Sequence, residues 1–263
     1  MKKGKNIIWV IAFILVIVLI GAVVYGYYRN TTMEVKNPVA TMEVENFGTI
    51  KIELYPELAP QTVANFVTLS NRGFYDGLTF HRIVKDFMIQ GGDKEGTGSG
   101  SASISDLKDG GADTAYSIKG EFIANGVKNK LKFDEGIIGM ARSDYTSSSP
   151  SLEEESYNSG SSQFFIMTKN NTSLNGYYTS FGKVIEGMDV VHKIEEVEVK
   201  AADNSEETGN TEVSVPVNTV KITSVRVETN GVDYGLPETL ETFDYTTWMY
   251  KQYGIDPSTM VTE

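Results

Sequence analysis

The segment from Phe80 to Asp93, FHRIVKDFMIQGGD, constrains this chain more than any other. It places a guanidinium, two large apolar side chains and an amide (Arg82, Phe87, Met88, Gln90) within nine residues and ends at a Gly-Gly pair. Read as a strand, a turn around Val84-Lys85-Asp86 and a second strand, its alternation puts Arg82, Met88 and Gln90 on one surface with Phe87 beside them. That surface is an apolar pocket with two polar heads. It holds no nucleophile, no paired carboxylates and no metal ligands, so its chemistry must rest on hydrogen bonding and shape.

The flanking sequence reads as β-structure. Met42 and Val44, then Ile50, Ile52 and Leu54, alternate about Asn46-Phe47-Gly48, a hairpin signal. Pro60 to Arg72 carries Val63, Phe66, Val67 and Ser70 at helical spacing, with Pro60 suited to a first turn and Gly73 to the position after a helix end. A second short helix is expected over Met188–Glu196. Strands are expected at Phe80–Ile83, Phe87–Gln90, Ile137–Met140, Phe164–Thr168, Thr179–Val184 and Val220–Val227. Hairpin-rich antiparallel strands with few helices favour a mainly-β closed barrel.

The ends of the chain are different in character. Ile7 to Tyr28 is a run of 22 uncharged, mostly apolar residues. As a helix it would measure about 33 Å, against a bilayer hydrocarbon core of about 30 Å. Lys2, Lys3 and Lys5 precede it and only Arg29 follows, which predicts a cytoplasmic N-terminus and an extracytoplasmic remainder. No small-x-small cleavage site follows, so an uncleaved transmembrane anchor over 1–29 is expected, then a linker over 30–38. The net charge is −12, and the four basic residues before position 31 have no acidic companions, so the rest is more acidic still. Nucleic acid is therefore an unfavourable partner. The absence of cysteine excludes disulfides and thiol catalysis.

Phe80–Asp93 closely resembles the FHR-x-x-x-x-F-M-x-Q-G-G-D signature of cyclophilins, the peptidyl-prolyl cis-trans isomerases. Gly96-Thr97-Gly98-Ser99-Gly100, Gly139-Met140-Ala141, Ser162-Gln163-Phe164-Phe165-Ile166, Leu174-Asn175-Gly176 and Phe181-Gly182-Lys183-Val184 follow in the family's order. The resemblance runs from about Ala40 to Glu228 and implies a closed eight-stranded antiparallel barrel capped by two helices over 39–229. It implies isomerisation of X-Pro bonds without cofactor or metal. Arg82 would be the catalytic arginine, with Phe87 and Gln90 beside it in the catalytic set. Phe87, Met88, Phe165 and Leu174 would form the proline pocket, and Gln90 and Gln163 would orient the substrate backbone. Ala141 and the backbone of Arg142 would line the channel for residues preceding proline, with Gly96 opposite. Two departures stand out. Ser173 replaces a common pocket tryptophan, and Tyr178 replaces a histidine but can still cover the proline ring.

Segments 144–160 and 198–213 interrupt the resemblance as polar, acidic insertions, the first beside the expected site and the second a solvated excursion. The tail over 230–263 is aromatic, and Pro237 is expected to open a helix with Leu240, Phe243 and Trp248 on one face. Other chemistries fail on inventory. His81 and His192 are the only histidines, and His81 is expected to satisfy a buried hydrogen bond rather than bind metal. Gly96–Gly100 lacks the Gly-Lys-Ser/Thr ending of a phosphate loop. The expectation is a membrane-anchored isomerase acting on proline-containing exported polypeptides outside the cell membrane. The competing class is a binding module that holds proline-containing segments with little turnover.

Overall fold

The computed structural model of the chain describes residues 11–25, 36–202 and 212–255. Two units emerge, 1–36 and 37–263. In the first, residues 11–25 form helix α1 with every side chain exposed. The rest of the apolar run over 7–28 lies outside the described residues, and among these no helix is long and apolar enough to cross a membrane.

The second unit begins with β1 (Val39–Val44), β2 (Gly48–Leu54), α2 (Pro60–Asn71), β3 (Thr79–Val84) and β4 (Met88–Asp93). Then come α3 (Ile104–Leu107), β5 (Tyr116–Ile118), β6 (Ile137–Met140), α4 (Glu153–Tyr157), β7 (Phe164–Met167), β8 (Ser180–Glu186) and α5 (Met188–Glu195). The chain finishes with β9 (Val199–Ala201), β10 (Val213–Pro216), β11 (Ile222–Glu228), β12 (Thr239–Glu241) and α6 (Tyr245–Gln252). Both expected hairpins form. Their turns place Asn46 at φ 65° and Asp86 at φ 58°, left-handed positions that Asn and Asp tolerate better than other side chains.

The main sheet has eight strands in the order β11-β1-β2-β8-β6-β7-β4-β3 and curls around one core. The expected closed barrel needs correction. The edges β3 and β11 share no ladder and meet only at a corner, through the Thr79–Lys221 bridge and bonds such as Phe80 N to Val220 O at 2.9 Å. Helix α2 packs Val63, Phe66 and Leu69 into the core, where the Phe66 ring lies 5.2–5.7 Å from Tyr75, Phe164 and Phe181. Ala59 before it has no side chain to cap the helix. Instead the buried Glu121 carboxylate accepts from the amides of Gln61 (3.0 Å) and Thr62 (2.8 Å), meeting the positive end of the helix from a distant part of the chain.

Strands β4, β6 and β7 are apolar on both faces, and alternation divides their side chains between two cores. Ile89, Ile138, Met140, Phe164 and Ile166 enter the main core, while Met88, Ile137, Phe165 and Met167 join Phe133 in a second cluster on the opposite face. That second face carries the site. Gly139 lies beneath it, and a Cβ there would come 2.4 Å from the Phe165 ring and 2.6 Å from Phe133. Only glycine lets the two rings stack at 5.5 Å against the strand.

Within the described parts of the insertions and tail, the structure places elements that the sequence reading did not. The segment 144–160 contains α4, with Leu152 and Tyr157 buried. At the described ends of 198–213, β9 and β10 pair antiparallel; the middle of the expected excursion, 203–211, lies outside the described residues. In the tail, β12 pairs with the edge of β5, so Leu240 is in a strand and no helix opens at Pro237. Helix α6 begins later, where Asp244 Oδ1 caps the Thr247 amide at 2.8 Å.

Gly139→Ala should cost about 1–3 kcal/mol, because the new methyl displaces stacked rings from a packed face. A lower melting temperature together with a raised KM for a proline peptide is the expected result; unchanged values of both would show that the rings yield freely.

Candidate active site

Pairing of β3 with β4 sets Arg82 opposite Gln90 and Val84 opposite Met88, which gathers the three side chains expected on one surface. A cavity of about 210 Å³ is lined by Arg82, Phe87, Met88, Gln90, Ala141, Arg142, Phe165, Leu174 and Tyr178. Nine of the sequence-predicted site residues thus converge. Phe165 forms the floor on its Phe133 stack, and Tyr178 meets it edge-on at 6.0 Å.

One run of hydrogen bonds orients the polar side of this pocket. Arg82 Nη1 donates to Gln90 Oε1 at 3.2 Å, and Gln90 Nε2 donates to Gln163 Oε1 at 2.9 Å. Gln163 Nε2 then donates to the carbonyls of Gly98 (3.0 Å) and Gly100 (2.8 Å). Because a guanidinium can only donate, each amide in turn is forced into one orientation. The far end is anchored by Asp93, which is buried and accepts from the amides of Glu95 (2.8 Å), Thr97 (2.8 Å) and Gly98. Burial alone would push its pKa up; the amides of Glu95, Gly98 and Gly100 outweigh this and hold the carboxyl below the usual carboxylate range.

The Gly-Gly pair before Asp93 has a steric cause. Gly92 sits at φ 86°, and a Cβ there would stand 2.5 Å from the Ser162 carbonyl oxygen. The strand can therefore approach the Gln163 segment closely enough for the amide contact to form.

A second cavity of about 480 Å³ adjoins the first and shares Gln90, Ala141 and Arg142 with it. Gln163, Gly98, Gly100 and Ser101 form one side; Tyr145, Thr242 and Phe243 form another. Gly96 lines neither cavity, whereas Gly98 and Gly100, whose carbonyls accept from Gln163, line the second. Ser173 lies on the exposed turn before Leu174, with its hydroxyl on Asn171 Oδ1 at 2.6 Å.

Several contributors were invisible in the sequence. The Arg142 side chain does more than the backbone role expected of it: its guanidinium carbon lies 4.4 Å above the Tyr178 ring and 5.2 Å from Tyr157. Phe243 of the tail packs on Tyr145 at 5.2 Å and walls the second cavity. Arg82 itself is gripped from its other side, with Nε 2.6 Å from Glu212 Oε1 and Nη2 2.7 Å from Oε2. Glu212 closes the acid-rich insertion, and nothing in its spacing distinguished it from the neighbouring acids.

His81 is buried, and among the described residues neither ring nitrogen is within hydrogen-bonding geometry of a partner, although the Gln163 side chain lies beside it. Burial lowers its pKa and keeps the ring neutral at physiological pH. Among the described residues no group of three or more His, Cys, Asp or Glu could hold a metal.

Comparison with known proteins bears on this geometry. Residues 39–227 match the sequence model of the family described as cyclophilin type peptidyl-prolyl cis-trans isomerase/CLD. A peptidyl-prolyl cis-trans isomerase of Arabidopsis thaliana is 36% identical over 191 residues, 72% of this chain and 93% of that protein. Peptidyl-prolyl cis-trans isomerase B of Bacillus subtilis (strain 168) is 39% identical over 146 residues, 56% of this chain and 82% of that protein. Among solved structures, a cyclophilin type isomerase of Cryptosporidium parvum, crystallised in the presence of the dipeptide Ala-Pro, gives a TM-score of 0.55 at 28% identity. That likeness covers 72% of this chain and 98% of the other. Matches of this extent and identity join the mainly-β fold to the motifs around Arg82, and the chain belongs to the cyclophilin-type peptidyl-prolyl cis-trans isomerases.

Proposed function

We propose that this isomerase acts on X-Pro bonds of exported polypeptides at the outer face of the cell membrane, and that Arg82 supplies the catalytic hydrogen bond. The observation that carries the chemical part is the placement of Arg82 Nη1 at an apolar pocket walled by Phe87, Met88, Phe165, Leu174 and Tyr178. X-Pro isomerisation crosses a barrier of about 20 kcal/mol because the amide C–N bond has partial double-bond character. As that bond twists, the prolyl nitrogen regains its lone pair. A guanidinium N–H aimed at the nitrogen then stabilises the twisted state more than either planar one, and the apolar walls strengthen the interaction by excluding water.

The proline ring fits the apolar pocket, with Phe165 beneath it and Tyr178 over it. Gln90 and Gln163 offer polar groups to the substrate backbone, and the residues preceding proline run toward the cavity beyond Ala141 and Arg142. The crystal structure of the Cryptosporidium relative in the presence of the dipeptide Ala-Pro supports a proline-containing ligand. The membrane setting is supported by the sequence alone: the 22-residue apolar run, the lysines before it and the acidic remainder.

Arg82→Ala should cut kcat/KM by about 10²- to 10³-fold with the fold intact by circular dichroism, since a donor used mainly in the transition state is worth about 3–4 kcal/mol. Phe87→Ala should instead raise KM, because it removes a wall that binds the ground state as well. Full activity in a folded Arg82→Ala variant would remove Arg82 from the mechanism. For the location, protease added to intact cells should digest the isomerase domain while leaving the N-terminus attached; a protected domain would place it inside.

A further inference from the structure

We propose that Glu212, carried on the β9–β10 hairpin, is a positioning residue for Arg82, so that the insertion is a working part of the active site. This rests on the reading of Arg82 as the catalytic donor and goes beyond it. A guanidinium has five N–H groups on two usable edges. The side edge, Nε and Nη2, is taken by both oxygens of Glu212 at 2.6 and 2.7 Å, a bidentate fork. The end edge is left facing the pocket, with Nη1 on Gln90 Oε1 at 3.2 Å and 3.8 Å from Met88 Sδ.

An arginine anchored only by its flexible stem and one amide could swing its charge into solvent. Clamping the far edge removes that freedom and gives Nη1 one direction. Glu212 is itself held in place. It immediately precedes β10, whose Val213 pairs with Ala201 of β9, and the buried Ser214 follows. The Arg82 guanidinium outweighs the opposing effect of burial and, with the Ser214 hydroxyl, keeps the carboxyl below its usual range, so the clamp stays ionised at neutral pH.

An inhibitory role is the opposite possibility, with the carboxylate occupying the place of substrate. The geometry disfavours it, because Glu212 does not line the pocket that Arg82, Phe87 and Phe165 enclose. The two side chains also remain about one-third exposed, at 33% and 37%, so solvent screens the charge that Glu212 would subtract from the donor. Orientation, not neutralisation, is therefore the larger effect.

The test compares full-length wild type, Glu212→Ala, Glu212→Gln, Arg82→Ala and the Arg82→Ala/Glu212→Ala double variant on one proline peptide, using exchange NMR to separate kcat from KM. Glu212→Ala should lower kcat about tenfold with KM nearly unchanged, because a misdirected donor loses catalysis rather than binding. Glu212→Gln, which keeps the shape and one acceptor, should fall between it and wild type. In the Arg82→Ala background, loss of Glu212 should add nothing. The Arg82 Nε–H resonance should be slow to exchange with water in wild type and fast in Glu212→Ala. A Glu212→Ala enzyme with unchanged or raised kcat, beside a crippled Arg82→Ala enzyme, overturns the positioning role alone. So does an equal loss on removing Glu212 in both backgrounds. Full activity in Arg82→Ala overturns the reading of Arg82, and the role of Glu212 with it.

Discussion

The site depends on one directional run of hydrogen bonds, from the Arg82 guanidinium through Gln90 and Gln163 to the carbonyls of Gly98 and Gly100. Its direction follows from chemistry, since the first member can only donate and the last can only accept. Bonds of this kind contribute individually about 0.5–1.5 kcal/mol, and more where a charge takes part. Their larger effect is on uniqueness: a flip breaks two contacts at Gln90 and three at Gln163. Gly92 brings β4 close to the Gln163 segment, and Asp93 organises the turn that offers the terminal carbonyls. The motif ending at Gln-Gly-Gly-Asp is thus a set of steric and electrostatic requirements for holding one arginine beside an apolar pocket.

The pocket is possible because β4, β6 and β7 are covered on both faces. One face belongs to the main core around Phe66 and Phe164. The other presents Met88 and Phe165 to the site. Burial on both sides fixes the register strongly, since a slip of one residue would exchange the site face for the core face. Gly139 then sets the height of the floor by admitting the Phe165 and Phe133 rings against the strand.

Much of this was legible in local sequence. Alternation within Phe80–Asp93 gave the hairpin and its working surface, and Pro60 marked the start of α2 where the structure has it. What was not legible depends on partners far apart in the chain. Glu121 caps α2 from 59 residues away, and Glu212 clamps Arg82 from 130 residues away; neither has a local signature. The tail departs from its local sequence pattern for a related reason. Its strand β12 exists because β5 leaves an edge to pair with, and helix α6 starts at Asp244 because that carboxylate caps it. Open closure of the sheet was likewise invisible, because alternation within strands does not report whether the last edge meets the first. Outside the family motifs, the insertions and tail add a clamp behind Arg82 and an aromatic wall of Tyr145 and Phe243 beside the second cavity.

The most direct measurement is exchange NMR of a short Xaa-Pro peptide with catalytic amounts of the full chain in detergent, recorded together with the protein's arginine Nε–H and aromatic resonances. Catalysis at the Arg82 pocket predicts exchange between cis and trans peptide signals, with simultaneous shifts of Arg82 Nε–H and of the Phe165 and Tyr178 rings. No accelerated exchange, or accelerated exchange that leaves those three residues unmoved, would contradict it.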